Sequence, residues 1–313
     1  MNRKIKGIII GGGPAGLICA HFFPDFKVID RNPLGQLNLP FIPGPRLIQL
    51  TDNSFDFVKS NLKSSTIIIK EAVVGYRMNG IYYNNAPKGF KNEYTKITRK
   101  KDNAEGSYLS EGKKNISHIE IGNNGEKSYK LLLERILENV KYKKNLTSSI
   151  ISGVDSRNKT VEYEDNKEHY DVLINTIPLK IFLNFSNETK EKIESKHKLD
   201  FSTISKCFYQ CDNSNDKKND YNYIYSVDDT YTRKTFYKDY NVYETVESIA
   251  SDNIEGNKVL NKIENVPLQI KNSMCIENVG DIHFVGRYSE WNHKIKMNET
   301  IDRAIKLRKQ IYG

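Results

Sequence analysis

Residues 7–30 read GIIIGGGPAGLICAHFFPDFKVID, and this stretch decides the fold. Its isoleucine-rich start predicts a short strand buried on both faces, as in a parallel sheet. Gly11, Gly12, Gly13, Pro14, Ala15 and Gly16 then fit G-x-G-x-x-G between that strand and a helix over 14–23, which Pro24 stops. In such a turn the first glycine bends the chain and the second lets a pyrophosphate approach the backbone. The third lets helix and strand pack closely. The helix N-terminus offers unpaired N–H groups to the phosphates. Residues 26–30 form a second strand ending in Asp30, a carboxylate placed to accept hydrogen bonds from an adenosine ribose. Strand, turn, helix and acid together predict a dinucleotide site. Asp30 lies only 14 residues past Gly16, which requires a short helix.

Outward from this unit, residues 31–46 read as loop, punctuated by Pro33, Gly35, Pro40, Pro43 and Gly44. A helix is expected at 54–62 and strands at 66–70 and 80–83, while 84–124 is polar and shows no clear element. YKLLLERILENV predicts an amphipathic helix over 128–139. Strands are expected at 140–142, 149–154, 160–163 and 170–178. The stretch 201–250 alternates aromatic and polar residues as antiparallel strands do. A strand at 281–285, a loop and a helix over 297–311 close the chain.

The 313 residues are 38% hydrophobic and 28% charged, a globular composition rather than a disordered one. Lys+Arg 48 against Asp+Glu 39 gives a net charge of +9. Only 11 of those 48 are arginine, and the abundance of Asn, Ile and Tyr fits an AT-rich genome, so the charge alone does not point to nucleic acid. No run approaches the roughly 18 apolar residues of a membrane span. The glycine motif begins too early to leave room for a signal peptide. Cys19, Cys207, Cys211 and Cys275 lack metal-ligand spacing, so reduced thiols, no bound metal and a cytoplasmic location are expected.

The chain resembles the flavoprotein group that includes amine oxidases and UDP-galactopyranose mutase. The resemblance rests on GGGPAGL and VIDRN near the start, YDVLINTIPL at 170–179, and FVGRYSEW at 284–291 followed by a helix. It implies an α/β protein: an FAD-binding Rossmann-type domain of the glutathione-reductase kind, built from 1–80, 125–185 and 270–313. A smaller β-rich substrate domain would come from 186–269 with parts of 81–124. The resemblance also implies FAD as cofactor, with Gly286 and Arg287 beside it and the amide near Met297 facing the flavin. Arg31, Gln36, Ile150 and Thr176 complete the expected cofactor set. A helix N-terminus there would stabilise negative charge on reduced flavin.

VDDTYTRKTFYKDYN, at 227–241, resembles the mutase run in which Tyr-Thr-Arg precedes a strand and a lysine. That places Tyr231, Arg233 and Lys238 in the substrate half, with Arg233 as a fork-shaped anion binder. His293, in the loop after Gly286-Arg287, is the acid/base candidate. The pattern departs from the mutase in three respects. The family's helical domain, which helps hold the nucleotide, corresponds only to the polar stretch 84–124. Its histidine pair beside the flavin is matched by Gly44-Pro45-Arg46-Leu47-Ile48-Gln49, without histidine. Its Gly-Gly after the second strand is Gly35-Gln36, and its aromatic pair after Gly-Arg is Trp291 and His293.

A second G-x-G-x-x-G is absent, so no separate NAD(P)H domain is encoded. The expected function is FAD-dependent oxidation of an amine or alcohol on a small polar or anionic substrate, by hydride transfer to the flavin. One alternative is mutase-like isomerisation of a nucleotide sugar on reduced flavin. Another is flavin-dependent modification of a nucleic acid or nucleotide, for which tyrosines 221, 223, 225, 231, 237, 240 and 243 would form a stacking face. Gly13→Val is expected to strip FAD, because a side chain there would fill the space of the phosphates. Flavin absorbance of the purified variant measures this, and full retention would remove the turn from the cofactor site.

Overall fold

The computed structural model describes residues 5–32, 48–98, 117–121, 128–138, 140–197, 199, 201–211, 221–228, 231–236, 241–246, 258–267, 276, 278–292 and 295–313. In chain order they form β1 (Gly7–Ile10), α1 (Pro14–Phe22), β2 (Lys27–Asp30), β3 (Ile48–Gln49), α2 (Asp52–Asn61), β4 (Ile67–Glu71), β5 (Val74–Met78) and β6 (Ile81–Tyr83). Next come α3 (Phe90–Thr98), β7 (Ser117–Ile121), α4 (Ser128–Leu137), α5 (Val140–Asn145), β8 (Leu146–Ser148), β9 (Ile151–Asp155), β10 (Thr160–Tyr163), β11 (Asn166–His169) and β12 (Val172–Asn175). The chain continues as α6 (Leu179–Phe182), α7 (Asn187–Glu194), β13 (Thr203–Cys211), β14 (Tyr223–Ser226), β15 (Arg233–Phe236), β16 (Asn241–Val246) and β17 (Lys258–Pro267). It ends with β18 (Asn278–Val279), β19 (Ile282–Phe284) and α8 (Met297–Tyr312). Two compact units result: Met1–Leu39 with Leu132–Phe201 and Ile270–Gly313, and Pro40–Leu131 with Ser202–Gln269.

The first unit is built on a six-stranded sheet in the order β18-β19-β12-β1-β2-β8. All its neighbours are parallel except the edge strand β18. Ile8, Ile9 and Ile10 are buried in the centre of this sheet, which is why the run carries no polar face. β9, β10 and β11 form a separate antiparallel sheet between β8 and β12 in the chain. A polar clip ties it to β2: Lys27 Nζ donates to Tyr163 Oη and Glu168 Oε2, each at 2.6 Å. Burial works against charge on Glu168, yet hydrogen bonds from Lys27 and Tyr163 hold its carboxyl below the ordinary carboxylate range.

The second unit carries a seven-stranded sheet, β17-β13-β16-β15-β14-β5-β6, and a three-stranded antiparallel sheet, β3-β7-β4. Its large sheet is antiparallel apart from the β14–β5 pair. Phe90 and Tyr94 of α3 cover one face, with Phe90 edge-on to Tyr76 at 5.3 Å and Tyr94 edge-on to Tyr225 at 5.6 Å. Aromatic pairs of this kind add stabilisation beyond the area they bury.

Three expectations need correction. Residues 140–142 belong to helix α5 rather than a strand, and the parallel partner of β2 is β8, a few residues later. The stretch 84–124 contains α3 and β7: Phe90, Tyr94 and Thr98 form one buried helical face within an otherwise polar sequence. The domain boundary also moves. Residues 48–80 pair within the second unit, through β4 with β7 and β5 with β14, and not with the parallel sheet. Residues 186–199 join the first unit, because Ile193 of α7 packs into its core beside Leu183 and Val154.

His283 sits half-buried on β19, and burial pushes its imidazole below the ordinary value while Asp281 opposes that shift. The unfolded chain therefore takes up a proton near pH 6.5 that the folded chain refuses. Stability from this source falls as pH drops through about 6.5 and levels off below the folded pKa. Relative to wild type, His283→Gln is expected to lose less Tm between about pH 7.5 and 5.5. Parallel pH dependence of the two proteins would show that His283 carries no such linkage.

Candidate cofactor site

The carboxyl ends of parallel strands lie along one edge of their sheet, and in open α/β folds ligands bind outside that edge. β1 delivers the glycine turn there, β2 delivers Asp30, β12 delivers Thr176 and β19 delivers Gly286. Gly11 takes φ +102°, a region that costs glycine little, and its N–H donates to Ile29 O at 2.8 Å. A Cβ on Gly11 would lie 2.5 Å from Thr176 Oγ1, and one on Gly16 would lie 1.9 Å from Gly11 O. Thr176 Oγ1 in turn donates to Ile10 O at 2.8 Å, so its hydroxyl holds the turn from beneath.

α1 starts with Pro14 after Gly13, and no side chain caps it. The N–H groups of its first turn are thus left for an anion. Asp30 is fixed by two backbone donors, Gly12 N–H to Oδ2 and Asn32 N–H to Oδ1, both at 2.6 Å. Each carboxylate oxygen keeps a lone pair for a hydroxyl donor. Next to it, Ser149 N–H donates to Asp30 O at 3.0 Å. The Ser149 hydroxyl is buried without a hydrogen-bond partner, and Ile150 is 66% exposed. An orphaned polar group and an exposed apolar side chain thus lie next to Asp30 in the fold. Arg31 follows Asp30 on the surface, and Gln36 lies outside the described residues.

The turn after β19 is held from several sides. Gly286 also takes φ +102°, and a Cβ there would meet Ala15 Cβ at 2.7 Å, so the turn abuts the start of α1. Ser289 Oγ donates to Asn175 O at 2.6 Å, and Leu179 N–H donates to Tyr288 O at 2.9 Å. Glu290, whose side chain is fully buried, accepts from Gly286 N–H at 3.1 Å and pairs with Arg303 of α8 at 3.0 Å. Arg287 Nε donates to Ile295 O at 3.1 Å, bringing the chain just before α8 back to the Gly-Arg turn. Met297 opens α8 and is buried, and Lys296 N–H donates to Glu299 Oε2 at 2.9 Å. The sequence reading missed Ser149, Asn175, Ser289, Glu290 and Arg303. An acid four residues after Gly286, directly before the chain's one tryptophan, was the signal that could have exposed the ion pair.

The expected catalytic residues stand apart from this edge in sequence and in unit. Arg233, on β15, pairs with the buried Glu244 of β16, which also takes Lys206 of β13. Burial opposes charge on Arg233, but Glu244 and the surrounding tyrosines raise its pKa further. Its guanidinium lies over the Tyr223 ring at 5.7 Å, on the sheet face that includes Tyr225 and Tyr76. The anion expected at Arg233 is therefore Glu244 of the chain itself. Tyr231 stacks on Tyr243 at 4.7 Å, and burial pushes its phenol well up. Tyr223, Tyr225 and Tyr231 thus divide between packed environments instead of lining one open stacking face. Lys238 and His293 fall outside the described residues.

No family model matches the sequence, and no curated protein matches it. Solved structures do. The chain is similar to reduced UDP-galactopyranose mutase, with TM-score 0.69 at 11% identity over 98% of this chain and 95% of that one. It is similar to a CLA-producing fatty acid isomerase from P. acnes, with TM-score 0.63 at 11% identity over 100% of both chains. Putrescine oxidase bound to putrescine matches with TM-score 0.59 at 9% identity over 98% of each chain. At these identities the likeness establishes the fold. A Rossmann-type parallel sheet with a β-rich second unit is the architecture expected and the one observed. Among the described residues no helix is long and apolar enough to cross a membrane, and no cluster of His, Cys, Asp and Glu could hold a metal ion.

Glu290→Ala removes a buried carboxylate that accepts from Gly286 N–H and pairs with Arg303, and is expected to lower unfolding free energy by about 1–3 kcal/mol. Arg157→Ala, which removes an exposed partner of Glu188, should cost at most about 1 kcal/mol. Urea titrations of both variants check the contrast, and equal losses would show that the Glu290–Arg303 pair does not fix the turn.

Proposed function

We propose that the protein is an FAD-dependent enzyme that oxidises a small polar substrate at an amine or alcohol carbon. The observation that carries this reading is the shared sheet edge, where an uncapped α1, the doubly fixed Asp30 and the Gly286 turn meet in one unit. The residues present fit the cofactor. The first-turn amides of α1 would bind the pyrophosphate, Asp30 the ribose hydroxyls, and Ser149 with Ile150 the adenosine end. Gly286 and Arg287, with the start of α8, would flank the ring system. Bound there, FAD supplies a two-electron acceptor at its N5.

In the β-rich unit the buried Arg233–Glu244–Lys206 cluster serves the sheet. A second reading, isomerisation of a nucleotide sugar on reduced flavin, is favoured by the whole-chain likeness to a mutase and to a fatty acid isomerase.

Anaerobic incubation with amines, alcohols and nucleotide sugars, followed by the flavin spectrum, separates the two. Bleaching by an amine or alcohol alone supports oxidation. Turnover of a nucleotide sugar only after dithionite reduction, with no net redox change, supports isomerisation and contradicts the first reading. NADH and NADPH are expected to reduce the flavin far more slowly than dithionite does.

A further inference from the structure

β4 ends the three-stranded sheet β3-β7-β4, and among the described residues no strand pairs with its outer edge. An open edge is a row of unpaired N–H and C=O groups, and folded proteins usually guard it with charge, proline or a bulge. β4 instead carries Ile67, Ile68 and Ile69 in succession, with Ile68 36% and Ile69 53% exposed on opposite faces. Lys70, the strand's one lysine, does not guard the edge, because it pairs with the buried Glu120 of β7. Cross-strand register shows what the edge lacks. Ile48 of β3, Ile119 of β7 and Ile69 lie in one row, and Ile121 and Ile67 lie in the next row of the same face. Ile48, Ile119 and Ile121 are buried, and the apolar layer breaks off at the exposed Ile69.

We propose that β4 pairs antiparallel with β4 of a second copy of this chain, about a two-fold axis at Ile68, joining the two sheets into one. In that register Ile68 meets Ile68 of the second copy, and Ile67 of each copy meets Ile69 of the other. Both rows then run on, since each Ile69 is followed across the interface by Ile67 and Ile121 of the second copy. The ends are complementary in charge. Exposed Lys63 precedes the strand and exposed Glu71 closes it, so antiparallel pairing brings Glu71 of each copy to the end where Lys63 of the other lies. Centring the pair on Ile69 would instead set Lys70 against Ile68 and Glu71 against Ile67. The contact uses the same strand of both copies, so it closes on itself as a dimer.

Sedimentation of the purified full chain over a concentration series tests the pairing. Wild type at about 100 µM should run at twice the 36.1 kDa of one chain. Ile68→Lys sets two lysines directly opposite each other and should raise the dimer dissociation constant about a hundredfold, as should Ile68→Glu. An equimolar mixture of the two variants should recover the dimer, because position 68 meets only itself in this register. Monomeric wild type overturns the proposal, as does a dimer that persists in Ile68→Lys or a mixture of the two variants that stays monomeric. Should the charged variants fail to fold, oxidised Ile68→Cys should form a disulfide-linked dimer that oxidised wild type does not, and its absence overturns the proposal equally.

Discussion

α1 approaches β1 so closely at Gly16 that any side chain there would overlap the Gly11 carbonyl, and the first unit is arranged around that contact. The approach forces Gly11 into positive φ, and Thr176 of the neighbouring strand end locks it by bonding Ile10 O. It also sets the direction of α1, whose uncapped start can face an anion only if the strand end lies directly beneath it. Gly286 extends the same constraint to the far end of the chain, since its lack of a Cβ lets the last turn rest on Ala15. Three segments distant in sequence are thereby held at one sheet edge by backbone proximity that only glycine allows.

Electrostatics follows a consistent rule in both units. Where charge is deeply buried it is paired: Glu290 with Arg303 in the first unit, Glu244 with Arg233 and Lys206 in the second. Such pairs add little net stability over apolar packing, but losing one partner is costly, so they fix geometry. The Ser149 hydroxyl and Asn298 Oδ1 are neutral and buried without hydrogen-bond partners.

Much of this was legible in the chain, for physical reasons that differ by segment. The β1–α1–β2 unit announces itself because its glycines, apolar run and terminal acid are all required locally. YDVLINTIP was equally plain, since a strand buried on both faces must be apolar throughout. α3 was not legible: its buried residues Phe90, Tyr94 and Thr98 are few and scattered among lysines, so no apolar stripe stands out. α5 was read as a strand because a short apolar-to-basic segment carries no periodicity to separate the two states. The pairing of Arg233 with Glu244 was hidden because cross-strand register joins residues that sequence spacing does not connect. Reading Arg233 as an anchor for a substrate anion anticipated a negative partner but not that Glu244 of the chain supplies it.

The central claim is that the glycine turn and Asp30 hold the adenosine and pyrophosphate half of a flavin dinucleotide. Calorimetric titration of apoprotein with FAD and with FMN tests it most directly, because FMN keeps the ring and loses that half. The account predicts FAD binding tighter than FMN by about a hundredfold or more, reflecting lost charge-assisted contacts to phosphate and ribose. Equal affinity for the two would contradict it.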